Sequence, residues 1–212
     1  MYRSLLDRGH DEFEENKSRF IGYAAPCQSE DEALSFIEEI KKKHSDARHN
    51  CYAYIIGENM GIQRYSDDKE PQGSAGMPIL DAMKKEELVN ACIVVTRYFG
   101  GVLLGKAGLY RAYSRGAQVG IKAAKIVIIK YFYHLKLSYD YSLHGTLSYY
   151  INTEKIYVKK ESFTDKVNIE VFIEEENYDK FIENLNDITS ANYTLPMKEK
   201  VLLKTLDGKI VE

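Results

Sequence analysis

Three segments carry side chains whose types and spacing suit chemistry. In Arg48-His49-Asn50-Cys51-Tyr52 a histidine stands two residues before a cysteine. On a strand those two share a face, the minimum for a Cys–His dyad, but no third group nearby orients the ring. Cys51 heads an apolar run and reads as a small buried hydrophobe. Arg48 and His49, at the strand entrance, read as anion-facing groups.

The second segment runs from Arg64 to Pro78. Asp67, Asp68 and Glu70 offer hard oxygen ligands for magnesium or calcium, but not at the twelve-residue spacing of an EF-hand loop. Charged turns of this kind are usually solvated, so no metal is assigned. Ser74 lies in Gly73-Ser74-Ala75-Gly76, which is not a nucleophile elbow. It reads as the cap of the helix that follows.

The third segment, Arg97-Tyr98-Phe99-Gly100-Gly101-Val102-Leu103-Leu104-Gly105-Lys106, joins a strand to a helix. Backbone N–H groups at a helix start hold anions well. Gly100 to Lys106 matches G-x-x-x-x-G-K, but Ala107 stands where a phosphate-binding loop needs Ser or Thr for magnesium. Contact with an anion without hydrolysis fits better, beside the alternative that the glycines simply pack helix on sheet. Arg111 and Arg115 follow at i,i+4, two guanidiniums on one helix face with no local acid to neutralise them.

These groups need elements to hold them. Residues 18–25 read as a strand stopped by Pro26. Ser29 with Glu32 makes a capping-box pattern before Ala33, Phe36, Ile37 and Ile40 at helical spacing. Residues 51–56 read as a strand, 58–74 as a polar, turn-rich loop and 77–85 as a helix. Ala91 to Tyr98 reads as a central strand, and 106–123 as a helix. The order suggests helices over a sheet. The remainder reads β-α-β-β-α-β, the split ferredoxin-like pattern. Its strands lie near 130–139, 155–162, 166–173 and 198–206, and its helices near 142–152 and 176–188.

Composition divides the chain at the same place. It has 212 residues and a formal charge of -3. All eight arginines lie at or before Arg115, and twelve of fourteen glycines at or before Gly120. We therefore expect two domains, 1–125 and 126–212, with net charges of 0 and -3. No Asp or Glu occurs from Leu88 to Tyr139, a stretch of 52 residues that carries eight bases. Buried elements account for the missing acids but not for the bases, so an anion-facing surface is the sharper reading. No apolar run approaches the roughly 20 residues of a membrane helix. The N-terminus lacks a signal-peptide pattern, and three cysteines in no Cys-x-x-Cys spacing suit neither a disulfide framework nor a zinc cluster. These features point to a cytoplasmic protein with no membrane contact.

At these segments the sequence resembles the IMPACT family, including its bacterial YigZ-like members. The carrying stretches are His49-Asn50-Cys51-Tyr52-Ala53-Tyr54, Ser66-Asp67-Asp68 with Glu70-Pro71, and Gly73-Ser74-Ala75-Gly76-Met77-Pro78-Ile79. The longest is Val94-Val95-Thr96-Arg97-Tyr98-Phe99-Gly100-Gly101, continued by Leu104-Gly105, Gly108-Leu109 and Arg111-Ala112-Tyr113. Lys69 and Ala107 stand where glycines are common in the family. The resemblance implies an N-terminal α/β domain like domain 2 of ribosomal protein S5. It also implies a small ferredoxin-like C-terminal domain, so an α+β fold overall, similar to the last two domains of elongation factor G. Eukaryotic relatives regulate translation through protein binding, and bacterial members suggest a nucleic-acid or ribosome-related role.

The reading that follows is a non-enzymatic binding protein linked to translation, needing no cofactor. Its anion-facing or nucleic-acid-binding groups are Arg48, His49, Arg64, Arg97, Tyr98, Gly100, Gly101, Lys106, Arg111 and Arg115. The motif loop is Asp67, Asp68, Glu70, Gly73 and Ser74. Two alternatives stand beside it. One is a metal-assisted hydrolase built on Asp67, Asp68 and Glu70. The other is a module that binds a protein partner in translation control.

Overall fold

A computed structural model of the chain describes residues 1–211. The chain divides into two compact units, Tyr2–Ile128 and Ile129–Glu212 together with Met1. Among the described residues they hold two antiparallel sheets and five α-helices, a mixed α+β protein. No helix among the described residues is long and apolar enough to cross a membrane.

The first unit opens with β1 (Tyr2–Leu5), β2 (Gly9–Glu15) and β3 (Ser18–Pro26), then α1 (Glu30–Lys43). It continues through β4 (His49–Ile56), β5 (Ile62–Ser66), α2 (Gly76–Lys85), β6 (Ala91–Tyr98) and α3 (Gly105–Ala124). Its main sheet runs β2-β3-β6-β4-β5. The expected capping box at α1 forms in part, its return bond reaching Gln28 rather than the N-cap Ser29. Ser29 accepts the Glu32 N–H at 3.2 Å, and the Glu32 carboxylate takes the Gln28 N–H at 2.8 Å. Helix α1 lays Ala33, Phe36, Ile37 and Ile40 on one face of the sheet, against Ile21, Tyr23 and Val94. Helices α2 and α3 cover the other face, packing Ile79, Met83, Leu109, Tyr113 and Ala117 on Phe20, Ala53, Ile93 and Val95. Strand β6 is therefore sealed on both faces, and this is why Ala91 to Val95 is an unbroken apolar run.

The polar stretch expected as loop contains a strand. Residues Ile62–Ser66 form edge strand β5, paired with β4 from Ile56↔Ile62 to Tyr52↔Ser66. An edge strand with one open side needs no apolar run, so its signal was absent. Strand β2 is hidden likewise. Gly9–Glu15 is mostly acidic and exposed; Phe13 stacks on Phe20 with centroids 5.3 Å apart and His10 on Tyr23 at 5.2 Å.

The second unit contains most of β7 (Ile126–Tyr139), then α4 (Tyr141–Thr153), β8 (Tyr157–Phe163) and β9 (Val167–Glu174). It ends with α5 (Tyr178–Thr189), β10 (Tyr193–Leu206) and β11 (Lys209–Val211). The strand order β11-β10-β7-β9-β8 contains the ferredoxin-like arrangement, with β11 added at the edge. In β9, Val167, Ile169, Val171 and Ile173 face the core while the residues between them are half-buried. They meet Leu147 and Ile151 of α4 and Phe181 and Leu185 of α5.

Candidate functional site

The motif residues of the first unit gather at one end of its main sheet. The register pairs His49 with Arg97 and Arg19 with Tyr98, so the starts of β3 and β4 meet the end of β6. The turn after β6 closes over this end. The Gly100 N–H donates to Ser18 Oγ at 3.2 Å. A Cβ on Gly100 would lie 1.8 Å from the Lys17 carbonyl oxygen, so only glycine lets the two backbones approach. Gly101, at φ +86°, then turns the chain in the left-handed region.

Arg97 is a core residue, not a surface one. It shares the α2/α3 face of β6 with Ala91, Ile93 and Val95, and it is 5% exposed. Its Nη1 donates to Glu70 Oε1 at 2.7 Å, and the Tyr113 hydroxyl donates to the same oxygen at 2.8 Å. His49 Nε2 lies 3.8 Å from that oxygen, while His49 Nδ1 lies 2.8 Å from the Asp68 carbonyl. Arg97 Nη2 reaches Ser18 Oγ at 3.4 Å, and its guanidinium packs on Phe20 and Phe99. Arg97 Nε has no partner among the described residues. A buried guanidinium with a buried carboxylate binds this end of the sheet to the motif loop, and it cannot also neutralise a phosphate outside.

Asp67 rather than Ser74 caps α2. One Asp67 oxygen accepts the N–H groups of Ala75 and Gly76 at 3.0 and 2.8 Å, and the other accepts that of Gly73 at 2.9 Å. The Ser74 hydroxyl instead donates to the Pro71 carbonyl at 2.6 Å. Asp68 Oδ2 accepts the Asn50 N–H at 2.6 Å. The three motif carboxylates thus serve three separate hydrogen-bond sets. Among the described residues no group of three His, Cys, Asp or Glu side chains is placed to hold a metal ion.

Cys51 is fully buried and donates to the Asp67 carbonyl at 2.9 Å. Burial pushes its thiol well above the ordinary range, the opposite of what a nucleophile needs. Burial, then the neighbouring Cys51 and Glu70, likewise hold the Tyr113 phenol protonated. The sequence reading missed Tyr113 and Ser18. Tyr113 lies on the apolar stripe of α3 with Leu109, Ala112 and Ala117, and a hydroxyl inside such a stripe signals a buried partner.

The expected basic residues do not form one set. Arg64 lies on β5 opposite Tyr54, with Glu30 of α1 at 3.9 Å, while Arg111 and Arg115 lie on α3 across the sheet. Arg115 covers the Phe13 ring at 4.2 Å and lies 3.6 Å from Glu15. The Tyr98 hydroxyl is held by His44 and Asp46 at 2.9 Å each, and the Arg19 guanidinium lies over its ring at 5.9 Å. What stays open is smaller. Arg48 is exposed over the Phe99 ring, and Phe99 itself is 37% exposed. Lys17, Lys69, Lys106 and Arg111 are exposed, and with Arg48 they make no ion pair among the described residues.

Fold and motif together define a two-domain α+β protein whose N-terminal domain is organised around a buried Arg–Glu–Tyr cluster. Residues 16–121 match the Impact N-terminal domain, and residues 137–192 match a domain of unknown function, DUF1949. The chain is 36% identical over 211 residues to IMPACT family member YvyE of Bacillus subtilis, covering 100% of this chain and 97% of that protein. It is 39% identical over 108 residues to YigZ of Escherichia coli, covering 50% of this chain and 53% of that one. A crystal structure of a hypothetical protein matches with a TM-score of 0.57 and 26% identity, covering 92% of this chain and 95% of the other. The chain belongs to the IMPACT family.

Proposed function

We propose that this protein is a non-enzymatic, cytoplasmic binding protein linked to translation, and that it contacts nucleic acid or the ribosome through its N-terminal domain. The observation that carries the reading is that Lys17, Arg48, Lys69, Lys106 and Arg111 of this domain are exposed with no ion pair among the described residues, Arg48 lying beside the Phe99–Gly101 turn. Arg48 packs on Phe99, and Lys17 lends its carbonyl to the close approach at Gly100. Lys69 follows Asp68, whose carbonyl meets His49, and Lys106 and Arg111 stand on the first two turns of α3. Such a group neutralises phosphates and releases counterions, a sequence-independent attraction that weakens as salt rises. Arg97 supports the surface from beneath rather than belonging to it.

The test is binding of RNA and of ribosomes across a salt series. The reading expects affinity to fall steeply as salt rises, with a slope that shrinks when Arg48 and Arg111 are replaced by Gln. Binding that is absent at low salt, or indifferent to salt, overturns it.

A further inference from the structure

The second unit packs its helices on one side of its sheet. Helices α4 and α5 both cover the face that carries Leu135, Leu137, Val167, Ile169 and Val171. Alternation along β7 and β9 turns His134, Lys136, Glu170 and Phe172 to the opposite face.

Across that opposite face the register lines up three rings. Tyr157 of β8 stands opposite Phe172 of β9, which stands opposite His134 of β7. The Tyr157 and Phe172 rings lie 5.8 Å apart, and those of Phe172 and His134 lie 4.6 Å apart. His134 is buried and hydrogen-bonded to Glu170 at 3.2 Å, so it backs the row. Tyr157 is 40% exposed and Phe172 half-buried, and these two present the row outward. Beside them a β-bulge interrupts β8 between Val158 and Lys160. Bulges re-aim side chains. Lys159 brings its Nζ over the Phe172 ring at 5.6 Å, while Lys160 stands opposite Glu170 on the same face. Two consecutive lysines thus reach one face, which regular alternation does not allow.

The charges on these three strands are unequal. Of the acids that share this face, Glu170 is held by His134 and Glu174 is paired with Lys130 at 2.9 Å. Lys159 and Lys160 are exposed and Lys136 is half-buried, and none of the three makes an ion pair among the described residues. Rings that present a flat surface beside unopposed cations suit a polyanion with flat groups along it. A duplex offers phosphates but hides its bases, and an acidic peptide offers charge without rings. A single strand offers both, each stacked base adding to the phosphate attraction.

We propose that this face binds single-stranded nucleic acid, with bases on Tyr157 and Phe172 and phosphates at Lys136, Lys159 and Lys160. It extends the nucleic-acid reading above to a second surface and does not depend on Arg48 or Arg111. The probes are oligoadenylates of about ten nucleotides, as RNA and as DNA, titrated into the full chain by fluorescence anisotropy across a salt series. Each is also tested annealed to its complement, and polyglutamate serves as the acidic peptide. The single strands are expected to bind more tightly than the duplexes. Tyr157→Ala is expected to weaken them about tenfold, the scale of one lost stack, while Tyr157→Phe keeps the ring and the affinity. Lys159→Gln with Lys160→Gln should lower the salt slope by about 1.4, two phosphate contacts on a single strand. The tenfold effect of Tyr157→Ala should persist when Arg48→Gln and Arg111→Gln are already present, which separates this face from the N-terminal surface. Stronger binding of the RNA or of the DNA, with that same Tyr157 dependence, supports the assignment and names the source. Duplex or polyglutamate bound as tightly as the single strand, or no effect of Tyr157→Ala in a variant that melts like the native chain, would overturn it.

Discussion

Glu70 and Arg97 form a 2.7 Å ion pair inside the N-terminal domain, with side chains only 4% and 6% exposed. They are 27 residues apart and come from the motif loop and the central strand. Replacing Glu70 with Ala leaves a buried guanidinium uncompensated and is expected to cost about 3–5 kcal/mol. Urea unfolding reads this directly. A loss below about 1 kcal/mol would mean that the pair is solvated rather than buried.

The Asp67 carboxylate accepts three backbone N–H groups at the start of α2. Asp67→Ala is expected to destabilise by about 2 kcal/mol, the upper end for loss of a helix cap. Ser74→Ala, which removes one hydroxyl bond to the Pro71 carbonyl, should cost about 1 kcal/mol. The opposite ranking in thermal or denaturant melts would restore Ser74 as the cap.

Gly100 and Gly101 are adjacent, yet they are glycine for different reasons. Gly100→Ala forces a Cβ against the Lys17 carbonyl and is expected to cost about 1–3 kcal/mol, opening the turn under Phe99. Gly101→Ala meets open space but keeps φ +86°, for about 1 kcal/mol. Comparing the two melts, together with hydrogen exchange at the Gly100 amide, distinguishes crowding from backbone strain.

His44 is buried between the hydroxyls of Tyr23 and Tyr98, at 2.6 and 2.9 Å. Burial and the nearby Lys43 hold its pKa below the ordinary value. The folded state thus binds this proton less readily than the unfolded chain does. Its stability is intact above about pH 6.5, where both states are neutral, and falls as pH drops below that value. Replacing His44 with Gln should flatten this part of the stability–pH curve relative to the native chain. An unchanged slope would show that His44 does not carry it.

At the N-terminal surface, Arg48→Gln and Arg111→Gln are each expected to weaken RNA binding at low salt and to lower the salt slope by roughly 0.7–0.9. Neither residue packs in the core, so melting temperature should stay unchanged. Filter binding across a salt series, alongside the melts, checks both parts.

Much of the scaffold was legible in the chain. Ser29 and Glu32 marked the start of α1, the Ala91–Val95 run marked a strand covered on both faces, and the Val167–Ile173 alternation marked a half-buried one. Each signal is local, set by spacing along one element. Strands β2 and β5 were not legible, because at a sheet edge an exposed strand and a polar loop share a composition.

The site divides along the same line. The family, the motif residues and the concentration of bases after Leu88 could be read along the chain, because all are properties of order and composition. That Arg97 points inward to Glu70 while Arg48 stays outside on Phe99 depends instead on packing between distant segments. Strand periodicity says that Arg97 shares a face with Ile93 and Val95, but not what covers that face. Here α2 and α3 cover it, and they bury a carboxylate and a phenol to meet the charge. Whether an arginine is a structural ion or a surface one depends on what the rest of the chain brings against it, and no local spacing carries that information.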